Sequence, residues 1–272
     1  MNTYILPNEH GKNAAPDNET RPARLPLPNP LPQAGEGANE SLRGFHINAN
    51  AVFIHDNLDD LSFAVAQRIA ESAVQAIAAR GMFYLVLAGG ETPRRCYEKL
   101  RDLAIDWAHV QLYLGDERCL PRGDAQRNDT MVRVTLLEHI AIPPGNIHFI
   151  PSELGAHAAA AAYAAMLEQI ATLDMVLLGM GEDGHTASLF PDNPATESAA
   201  LVVPVFNSPK PPPERVSLGI NTLSKVRQKI FLVAGAGKRS ALEHMSHGVL
   251  LPAARVADAE WHIDRAATLP PT

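Results

Sequence analysis

Proton transfer at neutral pH calls for a group that can change charge there, and histidine is the side chain suited to it. Of the eleven histidines, His185 has the most suggestive surroundings. It closes the run Gly179-Met180-Gly181-Glu182-Asp183-Gly184, which follows the apolar Met175 to Leu178. A short apolar run bounded by Asp174 and glycine predicts a central strand of a parallel sheet, buried on both faces. The three glycines allow a tight turn and close backbone approach to a ligand. His185 would then stand at the carboxyl end of a buried strand, where open α/β sheets bind ligands. The plainer alternative is a glycine turn with a hydrogen-bonded histidine and no ligand.

The same run matches G-x-G-x-x-G, a dinucleotide fingerprint that also needs a helix at the third glycine and an acidic residue about 20 positions on. Phe190-Pro191-Asp192-Asn193-Pro194 breaks such a helix, and the next strand-like run, Leu201 to Phe206, ends in Asn207. A dinucleotide site is rejected.

Three other places carry chemistry. Gly89-Gly90-Glu91-Thr92-Pro93 reads as a turn from a strand into a helix, with Thr92 as cap and Pro93 as the first helical residue. Free amides beside glycines there make an anion site, with a plain turn as the alternative. Gly115-Asp116-Glu117-Arg118 puts three charges at the end of the apolar run Val110 to Leu114, which suits a ligand-binding edge or an internal salt bridge. Gly235-Ala236-Gly237-Lys238 resembles a phosphate loop, but Arg239 stands where the Walker pattern needs Ser or Thr. A nucleotide loop is excluded, although a lysine at a helix start still suits a phosphate.

The elements that must position these groups alternate. Strands are predicted at Asn50–His55, Met82–Ala88, Val110–Leu114, Asn146–Ile150, Met175–Leu178, Leu201–Phe206, Arg215–Ile220, Lys229–Ala234 and Ala259–Ile263. Helices are predicted from Leu58 or Asp59 to Arg80, from Thr92, from a cap at Asn128 to about Ile140, over Ala156–Ile170, and from Gly235 to about Met245. Leu61, Val65, Ile69, Ala73 and Ile77 mark the buried face of the first helix, and Gly81 its stop. Ser208 to Pro213 reads as a surface loop. The pattern predicts a single α/β domain with a mostly parallel, Rossmann-like sheet flanked by helices, over residues 45–272. Residues 1–44 hold seven of the 22 prolines and one aromatic, Tyr4, and are expected to be a disordered proline-rich tail.

Composition narrows the partners. With 23 basic and 30 acidic residues, the formal charge of −7 gives no support to nucleic acid or an anionic membrane as partner. Positive groups for an anionic ligand must therefore be local. Two cysteines, Cys96 and Cys119, form no disulfide framework and fit a reducing cytoplasm. No apolar run approaches the roughly 18 residues of a membrane span.

Taken together, these blocks resemble the 6-phosphogluconolactonases of the sugar-phosphate deaminase and isomerase superfamily, over about Phe45 to Ala267. The resemblance rests on Gly89 to Pro93, on Gly115 to Arg118 through Asn128, on Leu177 to Pro191, and on Pro211 to Ser217 with Gly235 to Lys238. It implies hydrolysis of 6-phospho-D-glucono-1,5-lactone to 6-phosphogluconate in the pentose phosphate pathway. His185 would be general base, with Asp183 or Asp116 orienting its ring. Gly89, Gly90, Thr92, Arg118, Arg215 and Lys238 would hold the phosphate. It implies no cofactor and no metal, a small-molecule sugar-phosphate partner, and a monomer or small homo-oligomer. Ala88, Glu91 and Arg127 depart from the usual serines, and Glu91 puts a carboxylate near the presumed phosphate turn. The rival readings are a glucosamine-6-phosphate deaminase, which typically runs on after the shared Gly-His with different residues, and a non-catalytic sugar-phosphate-binding regulator.

Overall fold

The computed structural model describes residues 49–268; the expected tail at 1–44 lies outside them. The chain begins with β1 (Ala49–His55) and α1 (Leu58–Arg80). Asn57 caps α1 by accepting a bond from the Asp60 amide, and Gly81, at φ 81°, ends it in the left-handed conformation that glycine adopts without cost. Leu61, Val65, Ile69 and Ala73 are buried as their spacing requires.

Then come β2 (Phe83–Leu87), α2 (Glu91–Leu100), β3 (Val110–Leu114), the short β4 (Asp116–Arg118), α3 (Asn128–Thr135), β5 (Ile147–His148), α4 (Ala156–Leu167) and β6 (Met175–Gly179). The chain continues through β7 (Val202–Val205), β8 (Arg215–Leu218), α5 (Ile220–Lys225), β9 (Gln228–Val233), α6 (Arg239–Ser246) and β10 (Ala259–Asp264).

Seven strands form one sheet in the order β1-β10-β9-β6-β2-β3-β5, and every pairing in it is parallel. Its middle strands carry unbroken apolar runs because helices cover both faces; Leu85 to Leu87 and Ile230 to Val233 are almost wholly buried. The chain leaves β2 toward β3 and β5, and leaves β6 toward β9 and β10. The order therefore reverses between β2 and β6, and a crevice opens there at the carboxyl ends of the strands.

The alternating pattern did not reveal a second sheet. β4, β8 and β7 form an antiparallel three-stranded sheet, so Arg215–Leu218 does not join the parallel one. Two predicted helix starts also differ. Gly90, at φ 105°, is the cap residue of α2, which makes Thr92 and Pro93 its second and third residues. Proline is tolerated there because the first amides have no intrahelical acceptor. Asn128 is the first residue of α3, with Arg127 in the cap position; its amide group serves the site instead. α3 stops at Thr135, and a 3-10 turn covers Leu137–His139.

Candidate active site

The turns that follow β2, β3, β6 and β9 meet in one cavity of about 380 Å³ at the crevice. Gly89, Gly90, Thr92, Asp116, Arg118, His185, Arg215 and Lys238 line it, together with Asn128 and Lys210. Asp183 is not in its wall but contacts His185 from behind.

The turn after β6 is held by its own backbone. The Gly181 amide donates to the His185 carbonyl at 2.8 Å, and the Gly184 amide to the Gly181 carbonyl at 3.1 Å. A side chain on Gly181 would begin 2.0 Å from His185 Nδ1 and 2.4 Å from Asp183 Oδ1, so only glycine leaves room for the pair. Gly184 has φ 77°, and Leu251 presses against it. These constraints aim His185 into the cavity.

Asp183 Oδ1 lies 2.5 Å from His185 Nδ1. That contact assigns the Nδ1 proton to the Asp183 side and leaves Nε2 with a lone pair. Burial would raise the Asp183 carboxyl, but the hydrogen bond and charge of His185 overcome it and bring the pKa to about 2. Asp183 is thus an anion at neutral pH, able to stabilise a protonated imidazole. The Phe190 ring packs against the other side, 4.5 Å from the His185 ring centre.

Asp116 faces elsewhere. Its Oδ2 accepts from Ser188 Oγ at 2.5 Å, and its Oδ1 from Asn128 Nδ2 at 3.2 Å. Of the two acids considered for orienting His185, the geometry gives Asp183 the contact. Asn128 Nδ2 also donates to the Asp116 carbonyl at 2.9 Å.

Between Asp116 and Arg118, Glu117 points away from the cavity and is fully buried. Its carboxylate accepts the amides of Arg118, Asn128 and Asp129, each at 2.8 Å. One side chain thereby caps α3 and ties it to β4. Burial pushes this carboxyl up to about 7, against the three amide bonds that pull it down.

Arg127 is buried too. It grips Asp129 with two bonds of 2.9 Å, and reaches Glu153 at 3.1 Å and the Leu120 carbonyl at 3.0 Å. A buried guanidinium requires such a full set of partners. Glu91 is engaged as well: Arg94 Nε donates to it at 2.8 Å, and its side chain is 71% exposed. The departure at Glu91 therefore leaves its carboxylate paired with Arg94 at the edge of the turn that follows β2.

Two tyrosines finish the strands that lead into the cavity. Tyr97 Oη donates to the Ala88 carbonyl at 2.8 Å and accepts the Ala88 amide at 2.9 Å. Tyr163 Oη does the same for Leu114, at 2.9 and 3.0 Å. At a crevice the neighbouring strands part, and these buried phenols supply the missing backbone partners. Behind Lys238, the Asp264 carboxylate accepts the Gly235 amide at 3.0 Å and the Ala267 amide at 2.8 Å. It fixes the turn in which Gly235, at φ 93°, opens the 3-10 turn Ala236–Lys238.

Four cations, Arg118, Lys210, Arg215 and Lys238, thus line one cavity. Among the described residues none of them pairs with a carboxylate within 4.0 Å. Burial lowers the Lys238 ammonium pKa; Glu182 opposes this and Lys210 reinforces it. Cations left unpaired beside free helix-start amides define a site for an anion. Sequence reading missed Lys210, Ser188 and both tyrosines. The first sat in a loop judged only by its prolines, and the others carry no spacing signal.

An α/β protein with a switch-point cleft, a histidine–aspartate pair and a cationic wall is the class that fold and site define. Residues 56–264 match the family described as glucosamine-6-phosphate isomerases/6-phosphogluconolactonase. A 6-phosphogluconolactonase of Mycobacterium leprae is 39% identical over 228 residues, covering 75% of this chain and 91% of that one. One from Mycobacterium tuberculosis is 36% identical over 245 residues, covering 82% and 99%. The crystal structure of a Thermotoga maritima 6-phosphogluconolactonase superposes with a TM-score of 0.74 at 27% identity, covering 79% of this chain and 99% of that one. The chain belongs to the glucosamine-6-phosphate isomerase/6-phosphogluconolactonase family.

Proposed function

We propose that this protein is a lactonase that hydrolyses 6-phospho-D-glucono-1,5-lactone to 6-phosphogluconate. The observation that carries the reading is the His185–Asp183 pair, 2.5 Å apart, whose histidine lines a cavity shared with four cations that have no carboxylate partner among the described residues. His185 Nε2 takes a proton from a water molecule as the water oxygen attacks the lactone carbonyl. Charge builds on the carbonyl oxygen, where backbone amides or a cation of the cleft stabilise it. The ring C–O bond then breaks, and the imidazolium returns its proton to the departing ring oxygen. Asp183 holds the ring in the required tautomer and balances the transient charge.

The phosphate binds at the cationic side, with the amides at Gly89, Gly90 and Thr92 and the side chains of Arg118, Arg215 and Lys238 as its holders. The seven-stranded sheet, which draws its strands from Ala49 through Asp264, supports reading residues 45–272 as one domain. Among the described residues, no helix is long and apolar enough to cross a membrane. A cytoplasmic location is part of this proposal and is supported by the free thiols of Cys96 and Cys119.

The test is a lactone hydrolysis assay on purified protein, corrected for the spontaneous rate, with glucosamine 6-phosphate in parallel. Enzyme-dependent lactone opening is expected. Turnover of the amino sugar alone would replace this reading with the isomerase one, and binding without turnover of either would favour a regulator.

A further inference from the structure

Arg215 is only 4% exposed although it borders the cavity, and most of its donors are spent on main chain. Its Nε donates to the Pro212 carbonyl at 3.2 Å, and its Nη2 to the carbonyls of Lys210 and Pro211 at 3.0 and 3.1 Å. Three consecutive carbonyls of one loop thus converge on one guanidinium. The loop has few other means of being held. Pro211, Pro212 and Pro213 have no amide to donate, and its closure relies on the Ser208 amide bonding the Pro213 carbonyl and on Ser208 Oγ bonding the Lys210 carbonyl.

The guanidinium also lies over the Phe190 ring, 5.4 Å from its centre, and that ring backs His185. Arg215 therefore joins the wall behind the histidine to the loop across the cavity. The charged side chain this loop places in the cavity wall, beside Pro211, is Lys210, which shares that wall with Lys238. Two ammonium groups facing one small space repel each other unless an anion lies between them. A phosphate, with close to two negative charges, is such an anion.

We propose that Lys210 is a further phosphate ligand, and that Arg215 acts also as a positioning residue that clasps Lys210, Pro211 and Pro212 so that Lys210 reaches the phosphate. This rests on the sugar-phosphate reading above. The clasp is separable from the charge that Arg215 supplies on the phosphate side, because Lys would preserve the charge and lose the three-carbonyl clasp.

The test compares Lys210→Ala, Arg215→Lys and the double variant. It measures lactone kinetics and, by calorimetry, the binding of 6-phosphogluconate, with thermal unfolding as a control for folding. Lys210→Ala should raise KM roughly 10-fold, the scale of one charge-assisted hydrogen bond, with kcat within about threefold of wild type. Arg215→Lys should raise KM at least as much, and the double variant should be no worse than the worse single one, since an unclasped loop no longer delivers Lys210. Effects that multiply, or an Arg215→Lys variant with wild-type KM, would overturn the clasp. Unchanged KM and unchanged 6-phosphogluconate affinity in Lys210→Ala would overturn the ligand assignment even if Arg215→Lys failed to fold. A wild type that binds 6-phosphogluconate through Lys210 but opens no lactone would sink the activity reading and leave this one standing. A wild type that binds no 6-phosphogluconate would overturn both.

Discussion

Asn128 Oδ1 occupies the space in which a side chain on Gly89 would have to begin, 1.9 Å from the ideal Cβ position. The first glycine of the turn after β2 and the first residue of α3 are thus fitted to one another. Asn128 could move aside only by giving up its bonds to the carbonyl and carboxylate of Asp116. Gly89→Ala is expected to lower kcat/KM by about 10-fold or more, since small misplacements in a site are costly. Steady-state kinetics checks this, and a fully active variant would show that Asn128 swings away freely.

His185→Ala should lower kcat by roughly 100- to 10,000-fold, the usual contribution of a positioned general base, while 6-phosphogluconate still binds. His185→Asn should be no better, because an amide cannot take the proton. An alanine variant keeping half the wild-type kcat would remove His185 from the mechanism.

Asp183→Asn keeps the shape beside Nδ1 and removes the anion. It should lower kcat by about 100-fold or more, through loss of the tautomer and of imidazolium stabilisation, with KM little changed. A variant affected mainly in KM would assign Asp183 to substrate binding.

Tyr97→Phe leaves the amide and carbonyl of Ala88 buried without partners. Stability should fall by about 1–3 kcal/mol, read from denaturant midpoints at unchanged slope. Tyr163→Phe should behave alike at Leu114. A loss below about 0.5 kcal/mol for both would mean that water replaces the phenols.

Acid should weaken the fold through His262. It stands on β10 with Nδ1 3.0 Å from His55 Nε2, stacked between Phe53 and His55. Its Nε2 is buried with no partner among the described residues. Burial, then the nearby His55 and Arg68, hold its pKa down to about 3. The unfolded chain, with histidine near 6.5, binds more protons between those values, so stability rises with pH there. The contribution is present above about pH 6.5 and is lost as pH falls toward 3. At about 1.4 kcal/mol per unit, it amounts to a few kcal/mol. His262→Phe should flatten that acid limb in pH-dependent unfolding, and an unchanged limb would place the titration elsewhere.

What could be read before folding was governed by range. α1, β3 and β6 follow from local period, caps and apolar runs, and they stand within a residue or so of expectation. His185 and its glycines were legible because a turn must be written in consecutive residues. The contacts of Asp116 were not, since Ser188 is 72 positions away. Neither was the antiparallel sheet: β4 has three residues, too few to show alternation. Thr92 was misplaced because a positive-φ glycine can enter a helix without a side-chain cap.

In the antiparallel sheet, Arg118 of β4 pairs directly with Arg215 of β8. Like charges opposite one another across strands are unfavourable, and here each lies beside the cavity. At Arg215 the Asp116 carboxylate opposes this repulsion, and a bound anion would oppose it further. The cleft should behave as an anion sensor for the whole fold: millimolar phosphate ought to raise the unfolding temperature more at low ionic strength than at high. Such anion dependence would make the buffer a hidden variable whenever the stability of this protein is compared between preparations.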